Sequence, residues 1–118
     1  MKPWLAIATL VAACAVPRTA LAADYSPVDC AKASTPTELA ICRNYALGQA
    51  EARMATLFGI ATSLVAMGQR GDIGDAQKQW LKTRDACGGD VACLAEAYRK
   101  RIAVLDRVMT DIASRGPF

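Results

Sequence analysis

The sequence predicts an all-α protein: a small antiparallel helical bundle with a short extra N-terminal helix, stapled by two disulfides. Three observations carry this expectation. Apolar residues recur at helical spacing, most regularly in Val91, Leu94, Tyr98, Ile102, Leu105, Met109 and Ile112, which step by three or four. Nowhere does a convincing run of alternating apolar and polar residues suggest a strand. Cys30, Cys42, Cys87 and Cys93 fall near the ends of the helical stretches, where a covalent link has a loose junction to hold.

The chain begins with a targeting pattern. Lys2 supplies a positive start, Trp4 to Val16 is apolar apart from Thr9, and small residues follow. That run is too short for an ordinary transmembrane helix and fits a secretory signal. Two cuts compete. Val11-Ala12-Ala13-Cys14 resembles the box after which a lipoprotein is cleaved and its cysteine acylated, and Ala20-Leu21-Ala22 resembles an ordinary signal-peptidase site. The first would leave a signal of only thirteen residues, short for its class, so the expected cut lies between Ala22 and Ala23. Residues 1–22 are then a signal peptide and residues 23–118 one domain, periplasmic or secreted. The alternative is a lipoprotein anchored through Cys14.

The elements follow in order. Ala23 to Ser34 reads as an extended lead-in. In Thr35-Pro36-Thr37-Glu38 the threonine can cap, the proline suits the first helical position, and Glu38 can reach back to complete a capping box. The short helix this opens runs to about Arg43, and Asn44 can cap the next. That second helix is expected from about Tyr45 to Met67, burying Leu47, Ala50, Met54, Leu57, Ala61, Leu64 and Ala66. Gly68 to Asp75, with three glycines and two aspartates, reads as a connection. A third helix then runs to about Ala86 and presents Gln77, Trp80, Leu81 and Arg84 on one face. Gly88-Gly89 stops it, and Asp90 can cap the last helix.

Composition removes several function classes. The full chain has a net charge of +3, and Lys2 and Arg18 leave with the signal, bringing the domain to about +1. Such a balance makes no electrostatic case for nucleic acid or an anionic membrane. The chain has no histidine, so it lacks the commonest general base and metal ligand. No serine has an evident base partner. Glu38, Glu51, Glu96 and Asp106 are explained more simply as caps and surface charges than as a catalytic cluster. The expectation is a non-enzyme with no cofactor and no metal.

Of the five cysteines, Cys14 leaves the pool under either cut, by excision or by acylation. Four remain, as expected for two bridges in an oxidising compartment. Cys30-x11-Cys42 and Cys87-x5-Cys93 lack the close spacing of zinc pairs. Four cysteines allow three pairings, which spacing alone leaves open. The local pairs, Cys30–Cys42 and Cys87–Cys93, are favoured because each ties a loose junction.

The stretches Asp29 to Cys42 (DCAKASTPTELAIC), Gln77 to Cys87 (QKQWLKTRDAC), Cys93 to Tyr98 (CLAEAY) and Arg101 to Leu105 (RIAVL) occur in this order. Together they resemble the LprI-like family, small exported bacterial domains described as lysozyme inhibitor LprI N-terminal domains. Ala50-Glu51 stands where the family often has Leu-Asp, and the polar link before the Gln-Trp helix is shorter here. The resemblance implies a protein partner, a lysozyme, blocked sterically. The alternative is a structural or accessory envelope protein that binds another exported protein and inhibits nothing.

Gln77, Trp80, Arg84 and Asp85 are the motif residues, read as a packed indole with a polar network joining two helices. Tight partners of basic proteins are usually acidic, which makes Asp72, Asp75 and Asp90, near expected turns, the candidates for partner contact. Arg70-Gly71-Asp72 matches an adhesion tripeptide but sits where turn residues are expected in any case. Arg99-Lys100-Arg101 cannot form one patch, because consecutive helical residues point about 100° apart. Arg101 is expected to turn partly inward.

Overall fold

The structure is a computed structural model in which residues 27–116 are described. It comprises α1 (Pro36–Arg43), α2 (Tyr45–Leu64), α3 (Met67–Ala86) and α4 (Val91–Ser114). The described residues include no strand. The all-α expectation and its short extra helix hold. The expected signal cuts, at Ala22-Ala23 or before Cys14, lie outside the described residues.

Local chemistry places the helix ends. Both arms of the α1 capping box form: the Glu38 amide donates to Thr35 Oγ1 at 3.1 Å, and Glu38 Oε2 accepts from the Thr35 amide at 3.1 Å. The Ser34 amide also donates to Glu38 Oε2, and these backbone N–H groups hold the Glu38 carboxyl below its usual value. Asn44 is extended and serves twice. It ends α1, and its Oδ1 accepts from the Leu47 amide at 3.0 Å to start α2. Asp90 does the same for α4 through the Cys93 amide. The lead-in is not wholly extended, since Asp29 folds a turn onto the amides of Ala31 and Lys32.

The largest difference from the sequence reading is at the second corner. Gly68 to Asp75 is not a connection; it is the first part of α3, and the turn falls at Val65-Ala66. Glycine in a helix interior costs up to ~1 kcal/mol relative to alanine, so propensity argues against this helix. Packing overrides it. Ile73, Gln77, Trp80 and Arg84 are all buried and step by four, three and four, so the inward face of α3 begins inside the supposed loop. Val65 is buried at the corner, and Arg70 Nε donates to the Thr62 carbonyl at 2.7 Å, tying α3 to the end of α2. No side chain caps α3, which is why its start left no mark in the sequence.

The core runs between α2 and α4, with α3 laid along both and α1 closing one end. Its members include Leu47, Met54, Phe58 and Ala61 from α2 and Leu94, Tyr98, Leu105 and Ile112 from α4. The α4 face is as the sequence reading had it, except that Val91 is exposed. Of the expected second-helix face, Leu47, Met54 and Ala61 are buried and Ala50 and Leu57 pack against the core, but Leu64 and Ala66 are exposed, while Glu51 and Phe58 are buried.

Two disulfides, Cys30–Cys42 and Cys87–Cys93, are formed. They are the local pairs. The first holds the lead-in to α1, and the second closes the α3–α4 turn. Gly88, in that turn, has φ +55°, a left-handed conformation that costs any residue with a Cβ. Its carbonyl accepts from Thr37 Oγ1 at 2.9 Å, which seats the turn on the start of α1. Both bridges therefore belong to the same end of the bundle.

Candidate functional site

Three of the motif residues, Gln77, Trp80 and Arg84, lie on the inward face of α3, and Asp85 lies beside them at the surface. They meet a carboxylate that the sequence reading had counted among caps and surface charges. Glu51 is buried on α2. Its Oε1 accepts from the Val28 amide at 3.2 Å, and its Oε2 accepts from the Tyr98 hydroxyl in a short hydrogen bond. Arg84 Nη1 lies 3.7 Å from the same Oε2. One carboxylate thus joins the lead-in, α3 and α4 to α2.

Arg84 has more than one partner. Its Nε and Nη2 both reach Asp85 Oδ1, each at 2.9 Å, and its guanidinium sits 5.7 Å from the centre of the Trp80 ring. Trp80 Nε1 donates to the Ala97 carbonyl at 2.9 Å, while its ring meets Tyr98 edge-on at 5.2 Å. Tyr98 is fully buried. Burial, followed by its hydrogen bond to Glu51 and that carboxylate's charge, pushes its phenol well above the usual range.

The polar line continues along the bundle. Arg101 Nε donates to Gln77 Oε1 at 2.7 Å, and Arg101 Nη2 to the Ile73 carbonyl at 3.3 Å. Gln77 Nε2 donates in turn to Met54 Sδ at 3.1 Å. Arg101 is fully inward, further than the sequence reading placed it, and burial lowers its basicity. These groups sit between helices, and Glu51, Gln77, Arg84, Tyr98 and Arg101 are buried. They mostly satisfy one another and fix the register of α3 against α2 and α4, except that buried Arg84 Nη1 makes no hydrogen bond and meets Glu51 only as an ion pair.

The other carboxylates do not join this site. Glu38 closes the α1 cap, Asp106 pairs with Arg53 across α2 and α4 at 2.9 Å, and Glu96 pairs with Arg99 and Lys100 on the outside of α4. The hydrogen bond from Arg99 holds Glu96 down at about 2. Among the described residues no group of three acidic or cysteine side chains could hold a metal ion.

The three partner-contact candidates are not one patch. Asp72 and Asp75 are exposed on α3, in helix and not in a turn. Asp90 lies beyond the far end of that helix, at least about 17 Å away along its axis, with its side chain engaged in the α4 cap. Arg70-Gly71-Asp72 is likewise helical, with the arginine turned back onto α2. Near Asp72 lies a surface the sequence reading missed. Met67 is 84% exposed, Leu64 49% and Ile60 41%, all at the α2–α3 corner. Helical spacing alone places Leu64 inward, but α2 ends at this residue and leaves its side chain exposed.

These features define a class: a small all-α domain, disulfide-stapled at one end, whose inner polar residues serve the scaffold. The chain matches the family described as Lysozyme inhibitor LprI over residues 30–105 and belongs to it. The matched region contains both disulfides, Glu51, and the whole polar line from Arg84 to Arg101. No curated protein and no solved structure matches the chain.

Proposed function

We propose that the protein is an exported inhibitor of a lysozyme, acting by steric block with no chemistry of its own. Membership of the LprI family carries this reading. The architecture supports it. A domain held by two bridges and a buried polar line presents its surface with little conformational freedom left to lose, and that lowers the cost of binding. Among the described residues no helix is long and apolar enough to cross a membrane. Disulfides also favour an oxidising compartment, in line with release as a periplasmic or secreted protein after cleavage at Ala22-Ala23.

The functional test is turbidity clearing of bacterial cell walls by lysozymes of several types, with purified protein in excess. Slowed clearing with at least one type is the expected result. Unchanged clearing with every type would refute inhibition and favour the accessory envelope role. Mass spectrometry of the purified protein tests the processing. A chain beginning at Ala23 is expected, and one beginning at an acylated Cys14 would replace release with tethering.

A further inference from the structure

We propose that Met67 is an oxidation site: a peroxide converts its thioether to the sulfoxide ahead of the other methionines of the domain, and the fold carries the product without loss of stability. This holds whether or not the domain inhibits a lysozyme.

Beyond the expected cut the methionines are Met54, Met67 and Met109, and each stands in a different environment. Met54 is fully buried on α2, and its sulfur accepts a hydrogen bond from Gln77 Nε2 at 3.1 Å. A peroxide reaches that sulfur only when the bundle opens, and one of its lone pairs is already engaged. Met109, on α4, is half-buried and packs against the core. Met67, at the head of α3, is 84% exposed, and its side chain makes no hydrogen bond or ring contact among the described residues.

The step is an oxygen-atom transfer. A sulfur lone pair attacks one peroxide oxygen, and an S–O bond forms as the O–O bond breaks. With hydrogen peroxide the departing hydroxide takes up a proton and leaves as water. Sulfur is oxidised by two electrons and the peroxide is reduced by the same two. No group on the protein has to catalyse this, so access to the sulfur sets the order.

In a core the sulfoxide is disruptive, because a polar group replaces an apolar one. Met67 escapes that cost, since its side chain already lies in solvent. It also stands in the first turn of α3, where no side chain caps the helix and the leading backbone N–H groups lack helical partners. Helical side chains lean toward the N-terminus. The sulfoxide oxygen, the negative end of a strong bond dipole, is therefore carried toward the positive end of the helix. The exposed product also stays open to a thiol-dependent sulfoxide reductase. That reaction oxidises two thiols to a disulfide, releases the oxygen as water and restores the thioether.

The experiment treats the folded mature chain with limiting hydrogen peroxide and follows each methionine by peptide mass spectrometry. Met67 is expected to gain oxygen first and Met109 more slowly. Met54 should react at least about a hundredfold more slowly than Met67, because it waits on opening of the bundle. In urea sufficient to unfold the chain the rates should converge. Met67→Leu should abolish the early uptake. The protein oxidised at Met67 alone is expected to melt within about 2 °C of the parent, and so is Met67→Gln, which puts a polar side chain of similar length in the same place. Oxidation of Met54 or Met109 as fast as Met67 in the folded chain would overturn the assignment. A larger fall in melting temperature on oxidation at Met67 would overturn the claim that the fold tolerates it.

Discussion

Glu51 and Arg84 are the sharpest place to test how the bundle is held. Both side chains are buried, at 6% and 8% exposure, and the carboxylate also serves Tyr98 and the Val28 amide. Replacing Glu51 by leucine leaves Arg84 with Asp85 alone, at the protein surface, and strands the Tyr98 hydroxyl. Breaking a buried pair from one side costs about 3–5 kcal/mol. Arg84→Met should cost somewhat less, about 3 kcal/mol, because Glu51 keeps two hydrogen-bond donors. Total stability for a domain of this size is about 5–13 kcal/mol. Each single change therefore removes a large share of it, and at 4–8 °C per kcal/mol the melting temperature falls by roughly 12 °C or more. The triple variant Glu51→Leu, Arg84→Met, Tyr98→Phe has no stranded charge or hydroxyl. It is expected within about 2 kcal/mol of the parent. Urea unfolding followed by circular dichroism supplies the five free energies needed, those of the parent, the three single variants including Tyr98→Phe, and the triple. A triple variant as unstable as the sum of the single changes would refute the claim that these groups stabilise chiefly by satisfying one another.

Other consequences can be measured on the same material. Replacing Cys30 and Cys42 together by alanine should cost about 3 kcal/mol, and Cys87 and Cys93 together about 2 kcal/mol, in the chain-entropy relation for loops of 12 and 6 residues; urea midpoints under identical conditions rank the two. Gly88→Ala should destabilise by roughly 1–2 kcal/mol through its positive φ, and equal midpoints for the two proteins would contradict that conformation. The raised phenol of Tyr98 gives stability that is complete below the unfolded tyrosine value of about 10 and is lost as pH climbs toward the higher folded value. Alkaline unfolding should therefore be shallower in Tyr98→Phe than in the parent, and parallel curves would count against the buried phenol.

Much of the scaffold was legible before any coordinates. The α1 cap, the Asn44 break, the Asp90 cap and the regular face of α4 all come from side chains that act on their own neighbours, so local reading suffices. The corner at Val65-Ala66 was not legible, because nothing local marks it. α3 starts without a side-chain cap, and its glycines are held helical by the burial of Ile73 and by the reach of Arg70 across to α2. Glu51 escaped for another reason. Leu47, Glu51, Met54 and Phe58 step by four, three and four, so spacing alone places the glutamate inward. A charged residue was set aside in favour of apolar Ala50 and Leu57, and only its partners Tyr98 and Arg84, far along the chain, justify its burial. The exposed apolar corner was hidden by the same misplaced end of α2.

Placing both disulfides at one end gives the molecule a grain. The lead-in–α1 loop and the α3–α4 turn each stay closed even when hydrogen bonds open, whereas the α2–α3 corner carries no covalent link and relies on packing and the Arg70–Thr62 hydrogen bond. Amide hydrogens should accordingly exchange with solvent soonest at the corner and in the last turns of α4, and latest where Leu47, Leu94 and Tyr98 meet near the stapled end. Opening would then start at the unlinked end, while each bridge keeps its own short loop closed. The bundle can loosen at the corner and close again while both linked loops keep their form.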